Sequence, residues 1–229
     1  MAYFAAAVTQ LVCFAPFIYL IFILFKSTKK IVSFFAGCAC FVVFQVLTRM
    51  PLLSMLSQYS TDYLLFSSTQ PLANAFLLSL SAGVFEETGR YIVFSIMKKR
   101  KTDADPISFG LGHGGIEAVL LVAIPFIQSM AMKSPFTAEQ AFCSGLERIS
   151  AITLHVALSI LVYRCVKAKK GVFVLLAVAL HTLFNVVALF PLNFGMSLLL
   201  TEILLLAVAV IIYVCTNKFF ILKAKENEV

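Results

Sequence analysis

The stretch SAGVFEETGRYIVF, residues 81–94, places two adjacent glutamates and an arginine inside a long apolar segment. That segment, residues 71–97, is long enough to cross the roughly 30 Å hydrocarbon core of a bilayer as a helix. A charged side chain that faces lipid at that depth costs about 2.5–3.5 kcal/mol. We therefore expect Glu86, Glu87 and Arg90 to face other polar groups or a water-filled cavity inside a helical bundle.

Apolar segments of similar length recur along the 229 residues, of which 61% are hydrophobic and 13% are charged. This composition excludes a soluble domain and predicts an all-α, polytopic membrane bundle. Because no internal repeat or long linker divides the chain, residues 1–229 are expected to form one integral membrane domain. The seven predicted transmembrane helices lie near residues 2–25, 31–53, 71–97, 107–131, 141–164, 171–190 and 195–216.

Lysine and arginine residues cluster after every second predicted helix, and these four clusters hold 14 of the 18 in the chain. The clusters lie at residues 26–30, 98–101, 164–170 and 218–225. Because loops rich in Lys and Arg stay in the cytoplasm, we expect the N-terminus outside and the C-terminus in the cytoplasm. The helix ends that bear these clusters are called the basic ends below. Membrane topology thus explains the net charge of +7 without a nucleic-acid partner.

Ionisable side chains on three further predicted helices fall near the depth of Glu86, and all three histidines of the chain are among them. Counted at 1.5 Å per residue from the basic ends, four side chains lie about 14–16 Å deep: Glu86, Glu117, His155 and His181. His113 lies about 9 Å deep by the same count. Four helices are therefore predicted to bring these groups together in the bundle interior.

Spacing within the helices supports a shared interior, because residues four apart lie on one helix face. The glycine-rich stretch FGLGHGG, residues 109–115, allows either close helix approach or a local break around His113. Three polar pairs are four residues apart: Glu86 with Arg90, His113 with Glu117, and His181 with Asn185.

These residue types support hydrolytic chemistry. A carboxylate beside histidines in a shielded, wet pocket can activate water, and the amide of Asn185 can stabilise an oxyanion. Glu147 and Arg148, about two turns from His155, are expected to contact a neighbouring helix or support that histidine. Histidines and a carboxylate also match the ligand preferences of zinc, although the compact H-E-x-x-H spacing is absent. The candidate metal ligands are His113, His155, His181 and Glu86.

Several of these motifs resemble those of known membrane proteases. EETGR (86–90), FGLGH (109–113) and HTLFN (181–185) resemble the three motifs of the CAAX-protease and bacteriocin-processing superfamily of intramembrane proteases. GLGHGGIEA (110–118) and LERISAITLH (146–155) resemble the YhfC family of bacterial membrane peptidases, which that superfamily groups with the PrsW proteases and the γ-secretase scaffold subunit. The resemblance covers the third to sixth predicted helices and implies a multi-pass protein of a prokaryotic cytoplasmic membrane.

The resemblance also implies roles for individual residues. It assigns activation of the water to Glu86, with Glu87 as its neighbour. It implies that His113 and His181 position the water or assist proton transfer, and that Asn185 stabilises the oxyanion.

Three supporting residues depart from the CAAX-protease pattern. Arg90 comes one residue earlier, as E-E-x-x-R, and is expected to supply the charge that compensates Glu86. Glu117 and His155 are additional to the three motifs and resemble YhfC features. They leave open whether the site uses Zn²⁺ or works as a glutamate-type enzyme without a metal.

The leading hypothesis is an intramembrane peptidase that hydrolyses a peptide bond in a membrane-associated protein or peptide. We expect its cavity to open toward the cytoplasmic half of the membrane. A zinc-dependent membrane lipid amidase is an alternative, since seven-span enzymes with three histidines and an acid are known for that chemistry. A non-enzymatic membrane scaffold, or an ion- or proton-coupled transporter, would use the same groups as a relay. The lack of repeat symmetry disfavours the transporter, and the oligomeric state is left open.

Overall fold

The computed structural model describes residues 1–23, 26–100, 102 and 104–226. This part of the chain forms eight helices and no strand, which confirms the predicted all-α fold. The first predicted helix reaches residues 24 and 25, which lie outside the described residues. The helices are α1 (Ala2–Ile23), α2 (Thr28–Tyr59), α3 (Thr61–Thr69), α4 (Pro71–Lys99), α5 (Pro106–Ala131), α6 (Ala138–Ala168), α7 (Val172–Asn193) and α8 (Leu198–Glu226).

Six helices of the described chain are long and apolar enough to cross a membrane: α1, α2, α5, α6, α7 and α8. The chain is therefore a polytopic membrane protein. Helix α4 is 29 residues long, but its glutamates, Arg90 and terminal lysines keep it out of this set. Seven crossings and an outside N-terminus stay predictions. The short helix α3 was not predicted, and none of its residues is buried.

The glycine-rich stretch lets α5 pack closely against its neighbours. A Cβ atom on Gly112 would lie 2.0 Å from the carbonyl oxygen of Phe34 on α2, so no side chain fits there. A Cβ atom on Gly110 would lie 2.5 Å from the Cα atom of Val156 on α6. Helix α5 continues through His113 without a break. Close helix approach, rather than a local break, is thus the role of these glycines.

An apolar layer fills the bundle between the intramembrane glutamates and the basic ends. The ring centroids of Phe94 and Phe109 lie 4.4 Å apart, and those of Phe94 and Tyr163 lie 5.3 Å apart. Leu158 and Val162 of α6 are fully buried in the same core. These residues, called the aromatic layer below, fill the bundle interior on the side of the basic ends.

Two helices contain π-helical turns, at Val42–Arg49 in α2 and at Val119–Ala123 in α5. A π-helical turn holds extra backbone length and changes the direction in which the following residues face. In α2 the segment that follows, Met50–Tyr59, has no buried residue. The first π-helical turn carries Gln45 and Arg49, both of which are buried.

Candidate active site

The intramembrane polar side chains of α4, α5, α6 and α7 meet inside the bundle. The ring centroids of His113 and His155 lie 4.7 Å apart, and those of His155 and His181 lie 5.5 Å apart. All three imidazoles are buried. The prediction that these helices bring their polar groups together in the bundle interior is confirmed for all three histidines, including His113, which the depth count placed nearer the basic ends than the other two.

Glu86 contacts α5 through His113. The distance from its Oε2 atom to Nε2 of His113 is 2.9 Å. The next residue, Gly114, lies against α6. A Cβ atom added at Gly114 would lie 3.2 Å from Cδ2 of His155. This glycine thus allows the histidines of α5 and α6 to pack beside Glu86.

Glu87 is the centre of a second, fully buried contact set. Nη1 of Arg90 donates to both of its carboxylate oxygens at 2.6 Å, and Nδ1 of His181 lies 2.8 Å from Oε1. Nη2 of Arg90 lies 3.0 Å from Nδ1 of His155. The expected pairing of Arg90 with Glu86 is wrong, because Glu86 faces His113 while Glu87 occupies the guanidinium three residues along the helix.

Glu117 connects α5 to two groups of α6. Its Oε2 atom lies 2.5 Å from Nε2 of His155, and its Oε1 atom accepts a hydrogen bond from Nη1 of Arg148 at 3.0 Å. Arg148 also forms an ion pair with Glu147. Arg148 therefore supports His155 indirectly, through the carboxylate that they share.

A cavity of about 240 Å³ opens from this cluster. Its wall includes most of the predicted site residues, whereas Glu87, Arg90 and His113 lie behind that wall. The predicted site residues on the wall are Glu86, Glu117, His155, His181 and Asn185.

The cavity extends away from the basic ends. Its wall residues fall at 78–86 of α4, 147–155 of α6 and 181–189 of α7, so on each helix they run from the level of the cluster away from the lysine clusters. The opposite side of the cluster is filled by the aromatic layer around Phe94 and Phe109. The expectation that the cavity opens toward the half with the basic clusters, which is predicted to be cytoplasmic, is therefore wrong.

Four side chains of the cluster could hold a metal ion. The donor atoms of Glu86, His113, Glu117 and His155 all lie within 4.8 Å of one another. Carboxylate oxygens and imidazole nitrogens are ligands that zinc accepts. Oε2 of Glu117 lies close to Nε2 of His155, but the two atoms are not aligned for a hydrogen bond. Oε2 of Glu117 is therefore buried without a hydrogen-bond partner. The donor set thus fits a metal, with Glu117 in the group and the predicted candidate His181 outside it.

The family model of the YhfC intramembrane metalloproteases matches residues 11–140 and 128–212. The two matched segments together span most of the chain, including all four site helices. The chain belongs to the YhfC intramembrane metalloprotease family. The uncharacterized membrane protein YhfC of Bacillus subtilis strain 168 is 37% identical over 139 residues. That match spans 48% of this chain and 54% of the relative, so the chain covers about half of the relative's length. No solved structure matches the chain.

The helices and the bacterial relative place this YhfC-family member in a prokaryotic cytoplasmic membrane as a multi-pass protein. Its buried site carries an excess of negative charge. The contact network holds four carboxylates, those of Glu86, Glu87, Glu117 and Glu147, and two guanidinium groups, and Arg49 on the cavity wall adds a third cation. Buried charge must be compensated, and a divalent cation or protonated histidines would balance this excess.

Two wall residues of the YhfC-family cavity were not among the predicted site residues. Gln45 and Arg49 line the cavity from the π-helical turn of α2. From spacing alone Arg49 lies near the border of a predicted helix, and Gln45 is a lone amide. The π-helical turn changes the helix face on which both residues lie, and spacing counted for a regular α-helix does not include this change. The sequence pattern therefore did not place them on the cavity wall.

Proposed function

We propose that this protein is an intramembrane peptidase that hydrolyses a peptide bond of a membrane-associated protein or peptide inside the cavity. The observation that carries the proposal is the group of carboxylates and histidines facing a cavity within membrane-spanning helices. Membership of a family named for metalloproteases supports the same reaction class. A lipid amidase would share this hydrolytic chemistry and differ in substrate.

Glu86 is proposed as the general base. It lines the cavity, and among the described residues its one hydrogen bond joins Oε2 to His113. Glu87, by contrast, is fully buried and engaged by Arg90 and His181. A general base must reach the proton that it accepts, which favours Glu86 over its neighbour. His113 then holds the Glu86 carboxylate in position.

Glu87 and Arg90 are proposed as positioning residues. An ionised carboxylate only accepts hydrogen bonds, so Glu87 holds the proton of His181 on Nδ1 and leaves Nε2 as an acceptor. A guanidinium only donates, so without a metal Arg90 directs the proton of His155 to Nε2, beside Glu117, and a metal bound there would displace that proton. Together they fix the tautomers of two cavity-facing histidines.

Glu86, His113, Glu117 and His155 are the residues that would hold a Zn²⁺ ion. When bound there, the ion would supply Lewis acidity to a water molecule and to the peptide carbonyl. The chain's own contribution is a packed aromatic layer on one side of the cluster and a donor set of two carboxylates and two imidazoles on the other.

Zinc content is expected to depend on the donor set. Glu117→Gln and His113→Ala should each lower the zinc bound by the purified protein by about 10-fold or more, because each removes a ligand atom from a compact group. Inductively coupled plasma mass spectrometry after zinc loading and desalting measures the content. The exposed Glu139→Gln variant is the matched control. Equal zinc in all four proteins would contradict metal binding by this group.

Asn185 is expected to donate a hydrogen bond to the oxyanion from the cavity wall, one helical turn after His181. Asn185→Ala should lower kcat for an internally quenched transmembrane peptide by about 10²–10³ in proteoliposomes. Asn74→Ala, on α4 outside the cavity wall, controls for loss of an asparagine. If both variants hydrolyse the peptide at the wild-type rate, the oxyanion role of Asn185 is wrong.

A further inference from the structure

The end of the cavity farthest from the basic ends is formed in part by Gln45 and Arg49. Both side chains line the cavity, and each is only 8% exposed. They lie four residues apart on the π-helical segment Val42–Arg49. The proposed hydrolysis uses neither residue, although π-helical turns often occur at functional sites.

Arg49 is a buried cation that no carboxylate of the described chain contacts directly, although the carboxylate of Glu86 acts on it at longer range. Its Nε atom donates to Oγ of Ser81 at 3.0 Å, and its Nη2 atom donates to the carbonyl oxygen of Leu78 at 2.7 Å. Within the described part of the chain it forms no salt bridge. Buried charges are normally paired, and a guanidinium is well matched to a carboxylate. An anionic group from outside the chain would complete this contact.

Gln45 adds an unused acceptor beside this cation. Its Oε1 atom is buried and has no hydrogen-bond partner. A buried amide oxygen without a partner costs free energy, which a donor entering the cavity would recover. The backbone N–H of a peptide is such a donor. A cation and an acceptor, side by side on one cavity wall, therefore match a peptide segment that carries a carboxylate.

We infer that Gln45 and Arg49 form a substrate-binding subsite, in which Arg49 binds a carboxylate of the substrate peptide and Gln45 accepts a backbone N–H. This inference rests on the proposed function and names its substrate class. Arg49 contacts Leu78, which precedes Glu86 by eight residues, or about 12 Å along α4. An extended peptide covers that distance in about three to four residues. The preferred substrate therefore carries a carboxylate about three to four residues from the scissile bond.

Two sources can supply this carboxylate, an acidic side chain or a peptide C-terminus. Fluorescently labelled apolar peptides of about ten residues separate them. One peptide carries a single Glu and an amidated C-terminus, the second has no Glu and a free C-terminus, and the third has neither carboxylate. Fluorescence anisotropy with the Glu86→Gln protein in nanodiscs measures binding without hydrolysis.

At least one carboxylate peptide is expected to bind about 10- to 100-fold more tightly than the neutral peptide. Arg49→Gln should remove this preference, Arg49→Lys should retain part of it, and Gln45→Ala should weaken every peptide. Arg100→Gln, which removes an exposed arginine, is the control and should retain the full preference. Far-UV circular dichroism verifies that each variant is folded. If Arg49→Gln does not fold, the binding preference of Arg49→Lys is compared with that of the wild-type protein instead.

Equal binding of all three peptides, or a preference that survives in Arg49→Gln, would overturn the subsite and leave Arg49 a purely structural residue. These outcomes do not depend on catalysis. If the wild-type protein cleaves none of the peptides while the Arg49-dependent preference persists, the proposed hydrolysis fails and the carboxylate-binding subsite stands.

Discussion

Glu86→Gln is expected to lower the rate of peptide hydrolysis by about 10²–10⁴ while the protein stays folded. Glutamine retains the shape of the side chain and an oxygen near Nε2 of His113, now 2.9 Å from Oε2 of Glu86. It loses the negative charge and the capacity to accept a proton. Initial rates on an internally quenched transmembrane peptide in proteoliposomes measure the effect.

The matched control for this prediction is Glu139→Gln, which removes an exposed carboxylate from α6. It should hydrolyse the peptide at the wild-type rate. A Glu86→Gln protein that inserts normally and retains a rate within about twofold of the wild type would remove Glu86 from the role of general base.

Arg90→Met is expected to destabilise the protein by about 3–5 kcal/mol. Arg90 and Glu87 are both fully buried, and Arg90 donates to both carboxylate oxygens at 2.6 Å. Removal of the guanidinium leaves a buried carboxylate whose remaining partner is His181. Thermal unfolding in detergent, followed by far-UV circular dichroism because the chain has no tryptophan, measures the loss.

A double variant separates charge compensation from packing. Glu87→Met combined with Arg90→Met should recover most of the lost stability, because neither charge remains buried. Its hydrolytic rate should stay low, since His181 has then lost the carboxylate contacting Nδ1. Arg100→Met, at an exposed position, is the control. An Arg90→Met variant as stable as this control would contradict a buried ion pair.

The helices were predictable because bilayer thickness sets their length. The apolar segment 71–97 became α4, Pro71–Lys99, and the segment 107–131 became α5, Pro106–Ala131. The meeting of polar groups followed from the constant rise of a helix, which places residues of four helices at comparable depths. The short helix α3 gave no such signal, since it is too short to span a bilayer.

The partners within the site were harder to predict. Spacing allowed Arg90 to pair with Glu86 or Glu87, since positions three and four apart both share a helix face. The choice depends on the rotation of α4, which packing against His113 of α5 and His181 of α7 determines. Depth along one helix also could not show on which side of the polar cluster the bundle interior is filled by apolar side chains. The contact of Phe94 with Phe109, across two helices, decides that.

In the proposed reaction, water attacks a peptide bond at the Glu86 cluster. Proteoliposomes prepared in H₂¹⁸O and supplied with a transmembrane peptide test it by mass spectrometry of the products. The proposed function predicts that the wild-type protein yields a new C-terminal fragment whose carboxylate contains ¹⁸O, and that Glu86→Gln yields almost none. Cleavage products that appear equally with wild-type and Glu86→Gln protein, or an intact peptide with both, would contradict this reaction.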